Sequence, residues 1–146
     1  MAAYSIDIFD FDLGSSIPEW VAMIAKAYDL DPDFNNGALD DFYIQFYAAL
    51  PDTLGGDKAK AEKHYQLALE KCRGLSASPY VSYAKSICVP AQDYDTYKDN
   101  LEKALAIDPD EDPSQRLVNI ITQRKAKYML DNAWEYFSFL PYGGDY

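Results

Sequence analysis

His64 is the chain's one histidine, and it stands beside Tyr65 with no cysteine next to it and no paired acids in its motif. General acid–base or nucleophilic work needs a second group within hydrogen-bond reach. The spacing therefore argues for a packed or surface imidazole. The two cysteines, Cys72 and Cys88, form no C-x-x-C pair, and with one histidine the usual zinc ligand spacing is not met. Gly55-Gly56 is followed by Asp57, not by Lys-Ser or Lys-Thr, so it reads as a turn and not as a phosphate loop. No catalytic pair, metal cluster or nucleotide loop is present in the pattern. The expectation is a protein that binds and does not catalyse, with no cofactor and no metal.

Candidate binding residues are Ile44, Tyr47, Val81 and Lys85, with Asp40 and Cys88 beside them in the same projection. Helical spacing places them on the first helix of each of two helix pairs, the side that lines the concave surface of a stacked repeat. One lysine is too few for a groove that clamps a carboxylate, so an apolar and aromatic groove is expected. Arg124 is expected to face partly inward as a structural pin, since an inward guanidinium must find a carboxylate or carbonyls.

The elements that would hold these residues follow a repeated spacing. Trp20-x3-Ile24-x2-Ala27-x4-Pro32 and Tyr97-x3-Leu101-x2-Ala104-x4-Pro109 share an aromatic, a large apolar residue, a small alanine and a stopping proline. Ala61-x3-Tyr65-x2-Ala68 is a third copy, stopped by Gly74. Tyr83 and Ala84 belong to the complementary first-helix half of the pattern. The anchors Trp20, Ala61 and Tyr97 lie 41 and 36 residues apart, against a usual period of about 34; the Pro51–Gly56 loop absorbs most of the excess.

These spacings predict an all-α, tetratricopeptide-like fold: antiparallel helix pairs in a short right-handed solenoid. Helices are expected over 18–30, 37–50, 57–73, 78–90, 93–107 and a long capping helix over 113–139. The last would bury Leu117, Ile120, Ile121, Tyr128, Leu130, Trp134 and Phe137 and expose Arg124, Lys125 and Lys127. Residues 1–17 form a segment whose structure periodicity does not decide, 18–140 one domain, and 141–146 a frayed tail. Cys72 and Cys88 would end neighbouring antiparallel helices at opposite levels, on the order of 15 Å apart, too far to bridge. Free thiols are expected.

Of 146 residues, 49% are hydrophobic, enough for a packed core. No run approaches the roughly 18 apolar residues of a membrane span. Net charge is -11, and residues 1–57 hold eleven acids against the single base Lys26. Such a field repels phosphate and anionic lipid and disfavours nucleic acid or a membrane surface as partner.

Three ordered motifs carry a further likeness. They are Leu50-Pro-x-x-Leu-Gly-Gly-Asp57, Val89-Pro-x-Gln-Asp93 and Asn119-x3-Gln-Arg-x-Ala126. On these the chain resembles the T-component of TRAP transporters, often called TatT, across about residues 18–137. The resemblance implies an all-α repeat fold and a periplasmic lipoprotein. It also implies partnership with the transporter's solute-binding protein and a homo-oligomer, a trimer with a central passage. The chain departs from that pattern in showing no lipoprotein leader and in lacking the N-terminal helices of longer members. A free-standing cytosolic adaptor that docks a peptide or protein is the other reading.

Overall fold

In the computed structural model residues 11–142 are described, with backbone only for 11–18 and Trp20. Every regular element among them is helical. Helix α1 is Phe11–Leu30, α2 Phe34–Ala49, α3 Lys58–Lys71 and α4 Ser78–Tyr83. A π-helical stretch, Ala84–Cys88, leads without a break into the short α5, Val89–Ala91; α6 is Tyr94–Ala106 and α7 is Arg116–Asp131. Helical backbone thus covers residues 11–17, inside the segment that periodicity left open. Residues 1–10 and 143–146 lie outside the described part.

Local chemistry sets the boundaries. Asp57 caps α3 by accepting the Lys60 N–H at 3.0 Å, and Asp93 caps α6 by accepting the Thr96 N–H at 3.1 Å. Pro79 sits in the first turn of α4, where its missing N–H costs nothing. Asn35, Asn36 and Gly37 all take positive φ at the start of α2, a conformation that asparagine and glycine tolerate best. Gly37 is also a contact point. A Cβ there would lie 3.2 Å from Lys71 Cβ and 3.3 Å from Ala68 Cα, so its absence lets α2 close on α3.

The helices pack in two rows. α2 lies against α4 and α4 against α7; behind them α3 packs on α2 and α4, and α6 packs on α4 and α7. Ala61, Ala68, Ala84, Ala104 and Ala126 are fully buried where these helices cross, since a methyl lets two backbones come close. The larger core joins Val81, Cys88, Tyr97, Leu101, Met129 and Phe137; a second joins Ile44, Tyr65 and Ala68. Tyr83 stacks on Tyr65 with ring centroids 4.2 Å apart, and half-buried Pro109 follows the α6 terminus.

Polar side chains complete the joints between these cores. Tyr65 donates its hydroxyl to Asn100 Oδ1 at 2.7 Å, and Tyr97 donates to the Met129 carbonyl at 2.8 Å. Asn119 is fully buried; its Oδ1 accepts the Ala77 N–H at 2.9 Å and its Nδ2 donates to the Leu75 carbonyl at 2.8 Å. One turn on, Gln123 Nε2 donates to the Ala104 and Ile107 carbonyls at 3.0 and 2.7 Å, closing the C-terminus of α6. These are carbonyls that a helix end leaves without intrahelical partners.

Three expectations change. The last helix stops at Asp131, and Ala133–Glu135 is a 3-10 turn, so Phe137 reaches the core from the irregular segment after that turn and not from a long capping helix. Because Asn119 and Gln123 must face inward, α7 is rotated: Leu117, Ile121 and Tyr128 are exposed, while Asn119, Ala126 and Met129 are buried. Arg124 is turned outward with them, and Gln123 does the pinning. Ala27 is likewise exposed. The next residue, Tyr28, makes the α1 contacts instead, edge-on to Tyr43 and to His64. The Trp20 side chain lies outside the described part.

Candidate functional site

Two polar constellations stand out, on consecutive acids of α2. Asp40 points back toward α1 and α3. It has no exposed surface, and its carboxylate accepts Lys71 Nζ at 2.7 Å and the Tyr28 hydroxyl at 3.0 Å, with His64 Nδ1 at 2.7 Å. The His64 ring stacks on Tyr43 and Tyr47, at 4.8 and 5.6 Å between centroids. Lys71 also donates to the Pro32 carbonyl. Burial alone would lower the Lys71 pKa, but the bond and charge of Asp40 outweigh it and the net direction is upward. A buried carboxylate that meets three polar groups from two other helices clamps α1, α2 and α3 together. His64 is fully engaged as a packing and bonding group.

Asp41 points the other way, toward α4 and α7. Its Oδ2 accepts the Ser78 hydroxyl at 2.9 Å, with Ser82 alongside, and its Oδ1 is buried without a hydrogen-bond partner. One turn on, Gln45 Nε2 donates to Ser82 Oγ at 3.2 Å. Lys125 of α7 faces this cluster, where it feels the charges of both Asp41 and Lys85. Burial pushes the Asp41 carboxyl above its ordinary range, against the opposing pull of the Ser82 and Ser78 hydroxyls and Lys125. Lys125 keeps an exposed surface, yet desolvation by the neighbouring helices first and the like charge of Lys85 second press it downward, against the pull of Asp41.

The polar side chains that meet between α2 and α4 are therefore one residue on from the projected Asp40, Ile44 and Val81. Ile44, Val81, Asp40 and Cys88 are buried among the helices and do not line an open surface. Tyr47 is half-buried under the His64 ring, with Lys60 over its own ring at 5.3 Å. Lys85 is exposed and lies in the π-helical stretch. Asp41, Ser78, Ser82 and Lys125 join it, brought together by α2, α4 and α7. An extra-residue turn was not legible in the periodicity, although Pro90 was its signal: lacking an N–H, it cannot bond back to the carbonyl of Ser86.

Both cysteines are free and buried, and burial pushes the Cys88 thiol up to about 12. Among the described residues no three His, Cys, Asp or Glu side chains are grouped to hold a metal ion. No helix there is long and apolar enough to cross a membrane.

The fold and site define an all-helical protein whose polar features are built between helices. Comparison with known families places it more narrowly. The model of the TRAP transporter T-component matches residues 1–137, and the chain belongs to that family. That membership does not favour a free-standing adaptor. An uncharacterized protein of Treponema pallidum (strain Nichols) is 30% identical over 129 residues. That match takes in 86% of this chain and 40% of the relative's length.

Proposed function

We propose that this chain is the non-catalytic interaction module of a TRAP-type uptake system, contacting the system's solute-binding protein in the periplasm. The family match carries this reading. The order of helices supports the mode of action: α2 with α3, and α4–α5 with α6, serve as successive pairs of a short tetratricopeptide-like solenoid, with α7 as terminal helix. The row α2, α4, α7 then forms the concave face on which such folds take partners. Partnership across that row needs no chemistry beyond complementarity.

Size-exclusion chromatography with light scattering tests the proposal. The full chain is run with and without the solute-binding protein encoded beside a TRAP permease, at concentrations on the order of 10 µM, where modest complexes form. Co-elution at the mass of a complex is expected. Separate elution at the two free masses overturns it. The same run on the chain alone reports whether it self-associates, the property that the family likeness implies.

A further inference from the structure

A helix at the end of a helical stack ordinarily turns a polar side to water, and α7 does not. It packs on α4 and α6 through the side that carries Asn119, Ala126 and Met129. On the opposite side Leu117, Ile121, Arg124 and Tyr128 recur at intervals of four, three and four, so they form one stripe along the helix. Leu117 is 69% exposed, Ile121 58% and Tyr128 52%, with Val118 beside them at 41%. Single apolar residues on a surface need no explanation, but a contiguous row of them does.

Two cations mark the same face. Arg124 lies within the stripe, and Lys125 follows Ile121 by one helical turn at its edge. Both are exposed, and neither forms an ion pair among the described residues. Arg116 and Lys127 on the same helix differ, being bridged to Asp110 and Asp131. A chain with 24 Asp and Glu against 13 Lys and Arg has acids to spare, yet none bridges these two. Glu135 accepts the Tyr128 hydroxyl at 3.1 Å, which sets that acid at the C-terminal end of the stripe.

The pattern specifies what would cover it. A row at this spacing fits the side-chain ridges of a second helix. Apolar groups of that helix would cover Leu117 and Ile121, and carboxylates would meet Arg124 and Lys125. A second copy of this chain fits badly. Two α7 faces set together would gather the cations of both copies. Helix α1 also exposes apolar residues, Met23 and Leu30, but it places exposed Lys26 between them.

We infer that the outer face of α7 docks an amphipathic helix of a partner protein, with apolar residues on Leu117 and Ile121 and acidic residues on Arg124 and Lys125. The docking groups belong to this chain whatever protein carries the helix. The inference therefore stands or falls apart from the transporter reading.

Two synthetic peptides test it by titration into the full chain labelled with 15N. One, of about 18 residues so that it can hold a helix, carries leucine at every third or fourth position with glutamates beside them. The other has lysine in place of each glutamate. Saturable amide shifts along the outer face of α7 are expected with the acidic peptide, at a dissociation constant on the order of 100 µM. The basic peptide should bind about tenfold more weakly. Arg124→Glu should reverse that preference, which apolar contact alone would not do. Leu117→Ser with Ile121→Ser should remove binding of both peptides and leave the melting curve unchanged, since both side chains are exposed.

An acidic peptide that gives no saturable shifts, shifts centred on other helices, or a preference that survives in Arg124→Glu would overturn the inference. So would a wild-type chain that self-associates and becomes monomeric in the double serine variant, because a second copy would then be the occupant.

Discussion

Asn119 on α7 holds the backbone of Ala77, 42 residues earlier, by accepting its N–H at 2.9 Å. The same side chain donates to Leu75, so one amide fixes the loop that leads into α4 against the last helix. The loop has no regular partner of its own, and a buried backbone must find one. Asn119→Ala removes both bonds and leaves an N–H and a carbonyl buried. A loss of about 2–4 kcal/mol is expected by urea unfolding. Asn119→Asp should not rescue it, because the carboxylate restores the acceptor and not the donor.

Much of this was legible in the sequence and some was not, for physical reasons. The caps at Asp57 and Asp93, the stop at Pro32 and the small residues Ala61, Ala68 and Ala104 are local signals, and the helices they imply are present. The orientation of α7 is not local. Leu117, Ile121 and Tyr128 outnumber the residues on its buried face in hydrophobicity, yet they are exposed. Asn119 and Gln123 win because each satisfies backbone groups that nothing else reaches. Asp40 and Asp41 show the same limit. Helical projection turned Asp40 toward an open groove and did not single out Asp41, and only the packing of α3 and α4 on either side gives each a distinct set of partners.

The Asp40 clamp predicts a strong asymmetry between breaking and replacing it. Lys71→Met leaves the buried carboxylate without its ammonium and should cost about 3–5 kcal/mol. Asp40→Asn in that background removes the uncompensated charge and should recover more than half of the loss. A thermal melt of the single and double variants checks this. Equal stability of the two would mean that Lys71 contributes through packing on the Tyr28 ring, which its ammonium overlies at 4.9 Å.

The two glycines of the Leu50–Asp57 turn should differ when changed. A Cβ on Gly56 would fall 1.8 Å from the Leu50 carbonyl oxygen, a backbone atom that cannot move away. Gly56→Ala should therefore cost about 3 kcal/mol and loosen the Asp57 N–H bond to Tyr47 that seats α3 beside α2. Gly55 has open space around it and a φ of +95, so Gly55→Ala costs only the conformation, roughly 1–2 kcal/mol. Gly55→Asn should cost less than Gly55→Ala, which separates backbone strain from contact.

Asp41 gives a pH dependence whose sign is opposite to that of a salt-bridged acid. Its carboxyl titrates above the ordinary 3.8 when folded, chiefly because it is buried. Between the unfolded and the folded pKa the native state therefore binds the proton more tightly than the unfolded chain does. Stability from this group is fully present below the unfolded value and is lost as pH rises through the folded one. Asp41→Asn keeps the shape and removes the charge. The variant should be more stable than wild type at neutral pH, and the two should converge as pH falls toward 4. Melting curves across that range measure it. A wild type that gains on the variant with rising pH would mean that Lys125 more than offsets the burial of Asp41.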